Sequence, residues 1–511
     1  MTQTAPLAPA ERLALRLAAG RRLWLILIAV GLGMFAALGQ APVGAWPLSV
    51  IALGCWFGLL HAAPSAKRAA LISWAGGTGY FLLALSWIVE PFLVDIARHG
   101  WMAPFALTFM AGGLALFWGL AGWLTHRAGN TVVAFVTTLT LVEALRGWIF
   151  TGFPWAQPGH IWIDTSLLGL AAYTGALGLT LVTLILAVLI WRALGGNKLM
   201  LAAALMAQAA ILLGTTAPGP LQSDAPIVRL IQPNAPQHEK WDPAKMPIFF
   251  NRQLEFTRAM TRSGGRPDLI VWPETSIPSV LNYADDVLAA VAQAADGASV
   301  VLGAQRFGGV RLYNSLVVLD GQGAQTHLYD KHHLVPFGEY FPFGHLAKHV
   351  GLQGLAAEDG DGYSSGPGPQ MLDLGPLGKA LPLICYEGVF PRHVAATSER
   401  ADFILLITND AWFGQVSGPY QHLAQARLRS AEQGLPMIRV ANTGVSAMID
   451  AHGQIVSLLP LGKSGYADKA LPAALPPTLY SKTGDLPLLA FVALILGGAF
   501  ITRKRQTRLS D

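Results

Sequence analysis

The sequence is poor in charged residues and in cysteine. Asp, Glu, Lys and Arg make up 13% of the 511 residues, whereas 53% are hydrophobic. An ordinary soluble protein carries roughly 25% charged residues, so the composition argues against a purely soluble enzyme. The two cysteines, Cys55 and Cys385, are too few and too differently placed to indicate a disulfide framework or a zinc site. Each is therefore interpreted as a lone thiol.

The sequence also lacks a long basic stripe, a nucleotide-binding loop and a cluster of metal ligands. The formal net charge is +5, but many Lys and Arg residues lie in short clusters between apolar runs, which is typical of membrane topology rather than of nucleic-acid binding. The pair His332 and His333 has no further convergent ligands and is interpreted as local structure. We therefore expect no cofactor, no metal ion and no nucleic-acid partner.

Long apolar runs dominate the chain. A membrane-spanning helix needs about 20 mainly apolar residues, and the scan gives seven candidates before residue 220 and one near the C-terminus. The sequence thus predicts a multi-pass bundle of eight helices with a soluble insert: a membrane domain over 1–215, an insert over 216–483, and a last helix with a basic tail over 484–511. The predicted spans are Leu23–Gln40, Trp46–Ala63, Ala69–Val94, Trp101–Thr125, Thr131–Phe150, Thr165–Trp191, Leu199–Thr215 and Leu486–Ile501.

Positive charge lies almost entirely on one side of these predicted spans. Short cytoplasmic loops are rich in Lys and Arg, and the opposite loops offer only Arg98. We therefore expect both termini in the cytoplasm and the insert on the other side of the membrane. The residues on the cytoplasmic side are Arg12, Arg16, Arg21, Arg22, Lys67, Arg68, Arg127, Arg192, Lys198, Arg503, Lys504, Arg505 and Arg508.

Three ionisable residues fall inside predicted spans. Glu90 is costly in lipid, and Glu143 lies three residues before Arg146, close enough to pair on one helix face. Buried charges in a membrane are functional candidates by default. The alternative for Glu143 and Arg146 is a structural ion pair that fixes the bundle.

From Ala225 onward, short β-type runs alternate with helical stretches, which indicates a layered α/β domain. Ligands bind beyond the strand ends of such sheets. Helices are predicted over Pro247–Thr261, Asp285–Ala295 and Tyr420–Gln433. The predicted strands lie in IVRLIQPN, DLIVWPE, SVVLGAQ, NSLVVLD, ALPLICYE, DFILLITND and MIRVANTG.

Three reactive side chains lie beside these strands. Cys385 ends a buried apolar run and is a candidate nucleophile, and Glu274 ends another, where apolar neighbours raise a carboxyl pKa towards that of a general base. Lys331, on a turn punctuated by Gly and Pro, could donate to a developing oxyanion. Taken singly, the thiol could be an inert core cysteine and the charges structural or solvated. Their combination is what indicates chemistry.

The segments around these residues carry a family resemblance. VWPET with Glu274, DKHHLVPFGEY with Lys331 and ICYEGVFP with Cys385 resemble the Glu-Lys-Cys triad of the nitrilase (carbon–nitrogen hydrolase) superfamily. A nitrilase-like domain between the last two of eight membrane helices is similar to the apolipoprotein N-acyltransferase family of bacteria. TGFPW at 151–155, KW at 240–241 and TNDAWFG at 408–414 extend the resemblance over essentially the whole chain.

The resemblance implies an α-β-β-α sandwich, with Glu274 as general base, Lys331 as oxyanion-stabilising cation and Cys385 as nucleophile. It implies acyl transfer, through a thioester on Cys385, from a membrane phospholipid to the N-terminal amine of diacylated apolipoproteins. It also implies a location in the inner membrane, with the catalytic domain on the periplasmic side. The residues that match positions important for activity in the family are Trp241, Glu339, Tyr386 and Glu387.

The residues support this chemistry independently. A thiol with an ordinary pKa of about 8.5 is only a few per cent ionised at pH 7 and needs an adjacent base. Nearby Glu274, Glu339 and Glu387 should raise the pKa of the Cys385 thiol, and Lys331 should offset this. We therefore expect proton transfer to Glu274 during attack rather than a standing thiolate.

Two other functions fit parts of the sequence. A membrane-anchored amidase or nitrilase would share the triad and use water as acceptor, although one anchor would suffice for it. A transporter with a sensory or scaffolding soluble domain would explain Glu90, Glu143 and Arg146, but no paired half-helix repeat is evident.

A last prediction concerns lipid access. The stretch 337–355, FGEYFPFGHLAKHVGLQGL, is apolar and broken by Gly and Pro. We expect part of it, including Phe341 and Phe343 and joined by Trp412 and Phe413, to form a mobile lid at the bilayer surface. The alternative is that these side chains pack under the loop within the domain.

Overall fold

The computed structural model describes residues 8–214, 224–340, 362–397 and 399–510, with only the backbone of 502–510. The chain forms two compact units. The first contains the chain up to Val89, the segment from Trp101 to Thr216 and the segment from Lys482 onward. The second contains Glu90–Gly100 and the segment from Ala217 to Ser481, so it includes a short piece of the N-terminal half.

The first unit is helical. Many apolar side chains on its helices are exposed, among them Leu27, Phe109 and Leu212, as expected for helices that are hydrophobic on all sides and face lipid. Its helices are Pro9–Ala19, Arg22–Ala37, Trp46–His61, Ala66–Ala84, Ala103–Arg127, Val132–Trp148, Ala171–Leu194, Lys198–Leu213 and Leu486–Ser510, with 3₁₀ turns at Ser86–Val89, Pro158–Trp162 and Ser166–Leu170.

Polar residues in the sequence fix where several of these helices begin. Ser65, Thr131 and Asn197 each precede a helix, and the side-chain oxygen of each accepts a hydrogen bond from the backbone N–H three residues later. Such N-caps satisfy one of the four N–H groups that a helix start leaves without an intrahelical partner. The short polar loops therefore separate one apolar helix from the next.

Each predicted span overlaps at least one helix of the structure. By length and apolar composition, two helical segments of the described chain could cross a membrane, Ile96–Arg127 and Ser166–Leu194, or three if one bent pair counts as a single span. The remaining apolar helices are shorter. The count of eight spans therefore stays a prediction.

The predicted span Ala69–Val94 contains a break in the helix. The helix ends at Ala84, and the next helical segment, Ser86–Leu93, is bent from it by 63°. The break lies at Leu85, whose backbone has a φ of −107° and a ψ of 19°, outside the helical region.

Glu90 belongs to the second unit. Its side chain lies against the α-carbon of Gly414, where an added Cβ would overlap the Glu90 carboxylate. Gly414 also has a φ of +68°, which other residues rarely adopt. This glycine of the TNDAWFG segment is therefore needed for both backbone conformation and close packing.

Glu143 and Arg146 form a fully buried ion pair in the first unit, with Nη2 of the arginine 2.6 Å from Oε2 of the glutamate. Trp118 Nε1 donates to Glu143 at 2.8 Å. Arg146 also donates to the carbonyls of Phe153 and Trp155, the latter at 2.9 Å. Since protein groups satisfy both charges, the geometry favours the structural alternative, in which the pair anchors the TGFPW loop.

The second unit contains two six-stranded mixed sheets. The strands are β1 Ile227–Gln232, β2 Leu269–Val271, β3 Ser299–Gly308, β4 Arg311–Leu319, β5 Gln325–Asp330, β6 Leu372–Asp373, β7 Lys379–Ile384, β8 Phe403–Thr408, β9 Met437–Ala441, β10 Ser446–Ile449, β11 Ile455–Leu459 and β12 Gly465–Ala470. The first sheet has the strand order β12-β1-β2-β3-β4-β5 and the second has the order β11-β10-β9-β8-β7-β6. Three neighbouring strands are parallel in each sheet, β1-β2-β3 and β7-β8-β9.

The two sheets pack face to face and helices cover their outer faces. Side chains of both sheets share one apolar core, to which Val271 and Leu405 belong. A second core joins the first sheet to the helices Met246–Arg258 and Asp285–Ala295, and a third joins the second sheet to the helix Gly418–Gln433. The expected α-β-β-α sandwich is confirmed.

The seven predicted strands and three predicted helices of the insert are all present, with ends shifted by a few residues. The sequence pattern did not predict β5, β6, β10, β11 and β12. Four of these are edge strands of their sheets, and an edge strand is bounded by a neighbour on one side only, so its sequence need not be a continuous apolar run. The segment QTHLYD of β5 is an example.

Arg146→Met should lower the unfolding temperature of the detergent-solubilised protein. It leaves the buried Glu143 carboxylate without its counter-charge, and breaking a buried pair in this way costs about 3 to 5 kcal/mol. The double change Glu143→Gln with Arg146→Met should recover part of the loss. The control is Arg192→Met, because Arg192 is exposed at the end of a helix of the same unit. Unchanged unfolding of Arg146→Met would contradict the structural interpretation.

Candidate active site

The three reactive residues predicted from the sequence follow three strands. Glu274 follows β2, Lys331 follows β5 and Cys385 follows β7, where it begins the 3₁₀ turn Cys385–Val389. All three side chains are buried, with exposed fractions of 6%, 1% and 5%. The structure thus brings base, cation and thiol into one buried site.

Lys331 lies between two carboxylates. Its Nζ is 2.8 Å from Oε1 of Glu339 and 3.8 Å from Oε1 of Glu274. Burial alone would lower the pKa of the Lys331 amine, but the two carboxylates outweigh it and raise the pKa. Lys331 is therefore a permanent cation in this site.

Asn314 on β4 links the two carboxylates. Its side-chain Nδ2 donates to Glu274 Oε1 at 2.6 Å and to Glu339 Oε1 at 3.3 Å. Its backbone carbonyl accepts a hydrogen bond from the backbone N–H of Lys331 at 2.8 Å. The other oxygen of Glu339 accepts from the Val335 N–H at 2.8 Å. Glu339 is thus fixed at both oxygens and orients Lys331.

Burial raises the pKa of the Glu274 carboxyl, and Glu339 adds to this effect, while Lys331 and the Asn314 hydrogen bond oppose it. Burial also raises the pKa of the Cys385 thiol, and the Glu274 charge raises it further, while Lys331 opposes this rise. The thiol is therefore protonated near neutral pH. Attack by sulfur requires a base at the moment of reaction, and the adjacent carboxylate can supply it.

Cys385 has a φ of +52°, a left-handed conformation that is uncommon for a residue with a side chain. The Glu387 carboxylate stabilises one side of this turn by accepting hydrogen bonds from the N–H groups of Ile384 at 2.7 Å and His332 at 2.8 Å, and from the Tyr329 hydroxyl at 2.9 Å. Its oxygens are thus occupied by protein donors. Glu387 acts on the shape of the turn.

Tyr386 is buried and packs against His333 and Phe390, with ring centroids 5.5 and 4.9 Å away. Burial raises the pKa of its hydroxyl. The pair His332 and His333 therefore has a structural place beside the Cys385 turn. Within the described ranges, no three His, Cys, Asp or Glu side chains converge to hold a metal ion.

Trp241 is 40% exposed. It lines a cleft that Glu274 also lines. The preceding residue, Lys240, is buried, and its Nζ donates to Thr275 Oγ1 at 2.6 Å and to the Glu274 carbonyl at 3.2 Å. Burial lowers the pKa of Lys240 to about 8. Lys240 thus fixes the backbone that carries the candidate base.

Two of the four residues named for the predicted lid are described by the structure, Trp412 and Phe413, and both are half-buried. Phe341 lies outside the described residues, as does Phe343. Trp412 is half-buried in the 3₁₀ turn Asp410–Phe413 that follows β8. The lid stays a prediction.

Sequence reasoning missed Asn314 and Lys240 as parts of the site. Asn314 begins the apolar run of NSLVVLD, and a polar residue there looks like an ordinary strand start. Lys240 stands in the KW segment, where the family resemblance points only to its neighbour Trp241. The signal that could have found both is a polar side chain within or beside an otherwise buried stretch.

Comparisons with known proteins give a consistent picture. Residues 228–475 match the carbon–nitrogen hydrolase family, and residues 32–189 match the apolipoprotein N-acyltransferase N-terminal domain. The chain is 36% identical over 504 residues to the apolipoprotein N-acyltransferase of Rhodopseudomonas palustris. The aligned part covers 92% of this chain and 93% of that protein. It is 38% identical over 519 residues to the enzyme of the same name from Caulobacter vibrioides, covering 94% of each.

Solved structures match a smaller part of the chain. A CN-hydrolase superfamily protein from Xanthomonas campestris is 22% identical, covers 52% of this chain and 96% of its own, and gives a TM-score of 0.37. An amidase from a Nesterenkonia species is 18% identical, covers 53% of this chain and 98% of its own, and gives a TM-score of 0.38.

Glu274→Gln should make Cys385 react faster with a small, water-soluble thiol reagent at a fixed pH. The change preserves shape but removes a negative charge that raises the pKa of the thiol. The thiolate fraction therefore increases, and the rise of rate with pH should begin at a lower pH. Mass spectrometry of the modified thiol in a Cys55→Ala background measures this.

The matched control is Glu399→Gln, because Glu399 is 64% exposed and pairs with Lys379 of β7, the strand that carries Cys385. It should leave the rate unchanged. Slower modification of Cys385 in Glu274→Gln would contradict the electrostatic description of the site.

Proposed function

Because the chain belongs to the apolipoprotein N-acyltransferase family, we propose that it moves an acyl chain from a membrane glycerophospholipid to the N-terminal α-amino group of the diacylglyceryl-cysteine of apolipoproteins. The chain is an acyltransferase, and its second unit has the nitrilase-like fold. The observation that carries the proposed mechanism is the buried contact of Lys331 with Glu274 and Glu339 beside the Cys385 thiol.

In the first step, Cys385 Sγ attacks the acyl ester carbonyl while Glu274 takes the thiol proton. Both groups have raised pKa values. Lys331 stabilises the negative charge that develops on the carbonyl oxygen. The carbon–oxygen ester bond then breaks, Glu274 returns the proton to the departing alkoxide, and a lysophospholipid and a Cys385 thioester are formed.

In the second step, the α-amino group of the lipoprotein attacks the thioester. Glu274 accepts a proton from the attacking amine, and Lys331 again stabilises the oxyanion. The carbon–sulfur bond breaks, the proton passes to Cys385 Sγ and an amide is released. The enzyme returns to its starting protonation state, and lipoprotein maturation is complete.

The supporting residues have separate roles in this proposal. Glu339 orients Lys331, and Glu387 and Tyr386 support the turn of the nucleophile. Trp241 lies at the mouth of the cleft that reaches Glu274. Phe341 and Trp412 belong to the proposed apolar lid, through which two acylated substrates would enter in turn.

The two lipid-anchored substrates support a membrane location for the proposed enzyme. Moving an acyl chain from a bilayer into water costs about 0.8 kcal/mol per CH₂, so an enzyme that uses two lipid-anchored substrates benefits from being held in the membrane. We propose eight spans in the bacterial inner membrane and a catalytic domain on the periplasmic side. The support is the one-sided distribution of Lys and Arg in the short loops.

Cys385→Ala should abolish the acyl adduct that forms when the enzyme meets phospholipid alone, because the nucleophilic sulfur is lost. Cys55→Ala is the matched control and should leave the adduct nearly intact, since Cys55 lies in the helix Trp46–His61 of the other unit. Intact-mass and peptide analysis of the purified protein locate the adduct.

Addition of a diacylated lipopeptide should then discharge the adduct onto its α-amino group. An adduct on another residue would contradict the proposed nucleophile. Discharge only to free fatty acid, in the presence of the lipopeptide, would show a hydrolase instead.

A reporter fused after Gln222 should behave as exported, because the positive charge of the short loops lies on the opposite side. Fusions after Arg127, in a basic loop, provide the control and should behave as cytoplasmic. Reporters of the kind active only outside or only inside the cytoplasm measure this. Cytoplasmic activity after Gln222 would overturn the topology.

A further inference from the structure

Three buried ionisable side chains lie next to the backbone of Cys385 and have no role in the steps above. Asp410 begins the turn after β8, His422 lies in the helix Gly418–Gln433 and Arg439 lies on β9. Their exposed fractions are 1%, 0% and 0%. Three elements of the second sheet layer therefore converge on one point beside the candidate nucleophile.

The contacts among them form a chain that ends at Cys385. Arg439 Nη2 donates to Asp410 Oδ2 at 2.6 Å, and Asp410 Oδ1 lies 2.9 Å from His422 Nδ1. Thr408 Oγ1 also donates to Asp410 Oδ1 at 2.9 Å. The other ring nitrogen of His422, Nε2, lies 3.3 Å from the carbonyl oxygen of Cys385.

The Asp410 carboxylate in this series of contacts is a stable anion. Burial alone would raise the pKa of Asp410, but Arg439 and His422 outweigh it and lower the pKa to about 2. An ionised carboxylate on one ring nitrogen fixes the orientation of an imidazole and directs its other nitrogen. Burial lowers the pKa of His422, so the neutral ring carries one proton. Arg439 Nη2 lies 3.1 Å from Nδ1 and can donate to it, which leaves the ring proton on Nε2, where it is donated to the carbonyl oxygen of Cys385.

The backbone at this position needs support. Cys385 has a φ of +52° although it is not glycine, and such conformations persist only where surrounding contacts hold them. Glu387 supports the turn through N–H groups, including that of Ile384. His422 contacts the carbonyl of Cys385 itself, which lies on the other side of its α-carbon.

We propose that His422, fixed by Asp410 and Arg439, is a positioning residue that holds the Cys385–Tyr386 peptide in its reactive orientation. A peptide group is planar, so holding the carbonyl of Cys385 also fixes the direction of the Tyr386 N–H, and it limits rotation about the bond between the Cys385 α-carbon and its carbonyl carbon. The inference rests on the proposed function, in which Cys385 is the nucleophile. His422 itself does not touch substrate.

A purely structural histidine would have a different signature. Its removal would weaken the fold and reduce every property of the enzyme together. A positioning residue acts on the reacting geometry, where a displacement of about 1 Å can cost on the order of 100-fold in rate. Its removal therefore lowers the rate of acylation and leaves phospholipid binding intact.

The test measures the single-turnover rate of Cys385 acylation against phospholipid concentration by mass spectrometry. His422→Phe keeps a planar aromatic side chain but removes both ring nitrogens, and should lower the maximal rate about 10- to 100-fold with an unchanged half-saturating phospholipid concentration. His422→Gln should recover much of the rate, because its amide nitrogen can donate to the same carbonyl. Asp410→Asn, which weakens the fixing of the imidazole, should give a smaller loss of the same kind.

Gln425→Leu is the matched control, because Gln425 is buried on the same helix about one turn from His422. It should change the unfolding temperature without separating rate from binding. If His422→Phe does not fold, His422→Gln and Asp410→Asn still decide the result. A wild-type rate in these His422 variants and in Asp410→Asn, or a loss of rate and binding in the same proportion as in Gln425→Leu, would overturn the inference.

The two proposals fail in distinguishable ways. Absence of any adduct on Cys385 in the unchanged enzyme would overturn the proposed function and this inference together. A normal adduct in the unchanged enzyme and an equally fast one in His422→Phe would overturn the inference alone.

Discussion

The burial of one ammonium group between two carboxylates constrains the whole candidate site. Lys331 has Glu339 at 2.8 Å and Glu274 at 3.8 Å, and the three side chains are at most 6% exposed. An uncompensated charge in such surroundings is very costly. Any reaction here must therefore proceed without changing the total charge of the site.

The proposed first step satisfies this condition. When Glu274 takes the proton of Cys385, the carboxylate becomes neutral while the negative charge appears on the carbonyl oxygen of the substrate, beside Lys331. The charge has moved between groups that share one cation, and no new charge has been created in the buried site. This explains why a protonated thiol with a raised pKa suits the site better than a standing thiolate, which would add a third anion around one lysine.

The sequence permits prediction of the side chains that follow each strand. It does not permit prediction of the contacts between side chains of different elements. Glu274 and Cys385 could be singled out because each directly follows a buried apolar run. His422 could not, since it is 37 residues from Cys385 and lies in a helix whose residues are nearly all buried in the fold. The bend after Ala84 shows the same limit, because both sides of the break at Leu85 are apolar and hydropathy does not report backbone direction.

The environment of Cys385 bears on the choice between water and amine as acceptor. Residues 228–475 match a family named for carbon–nitrogen hydrolysis, and the Glu-Lys-Cys arrangement could equally serve an attacking water. What favours transfer is access: Cys385 is 5% exposed and Glu274 6%, so bulk water has little entry to a thioester formed there. An acceptor that arrives with its own lipid chains brings apolar surface that excludes water as it binds. In the proposed reaction, specificity for the amine therefore comes from how the acceptor enters the site, while the triad supplies chemistry that either acceptor could use.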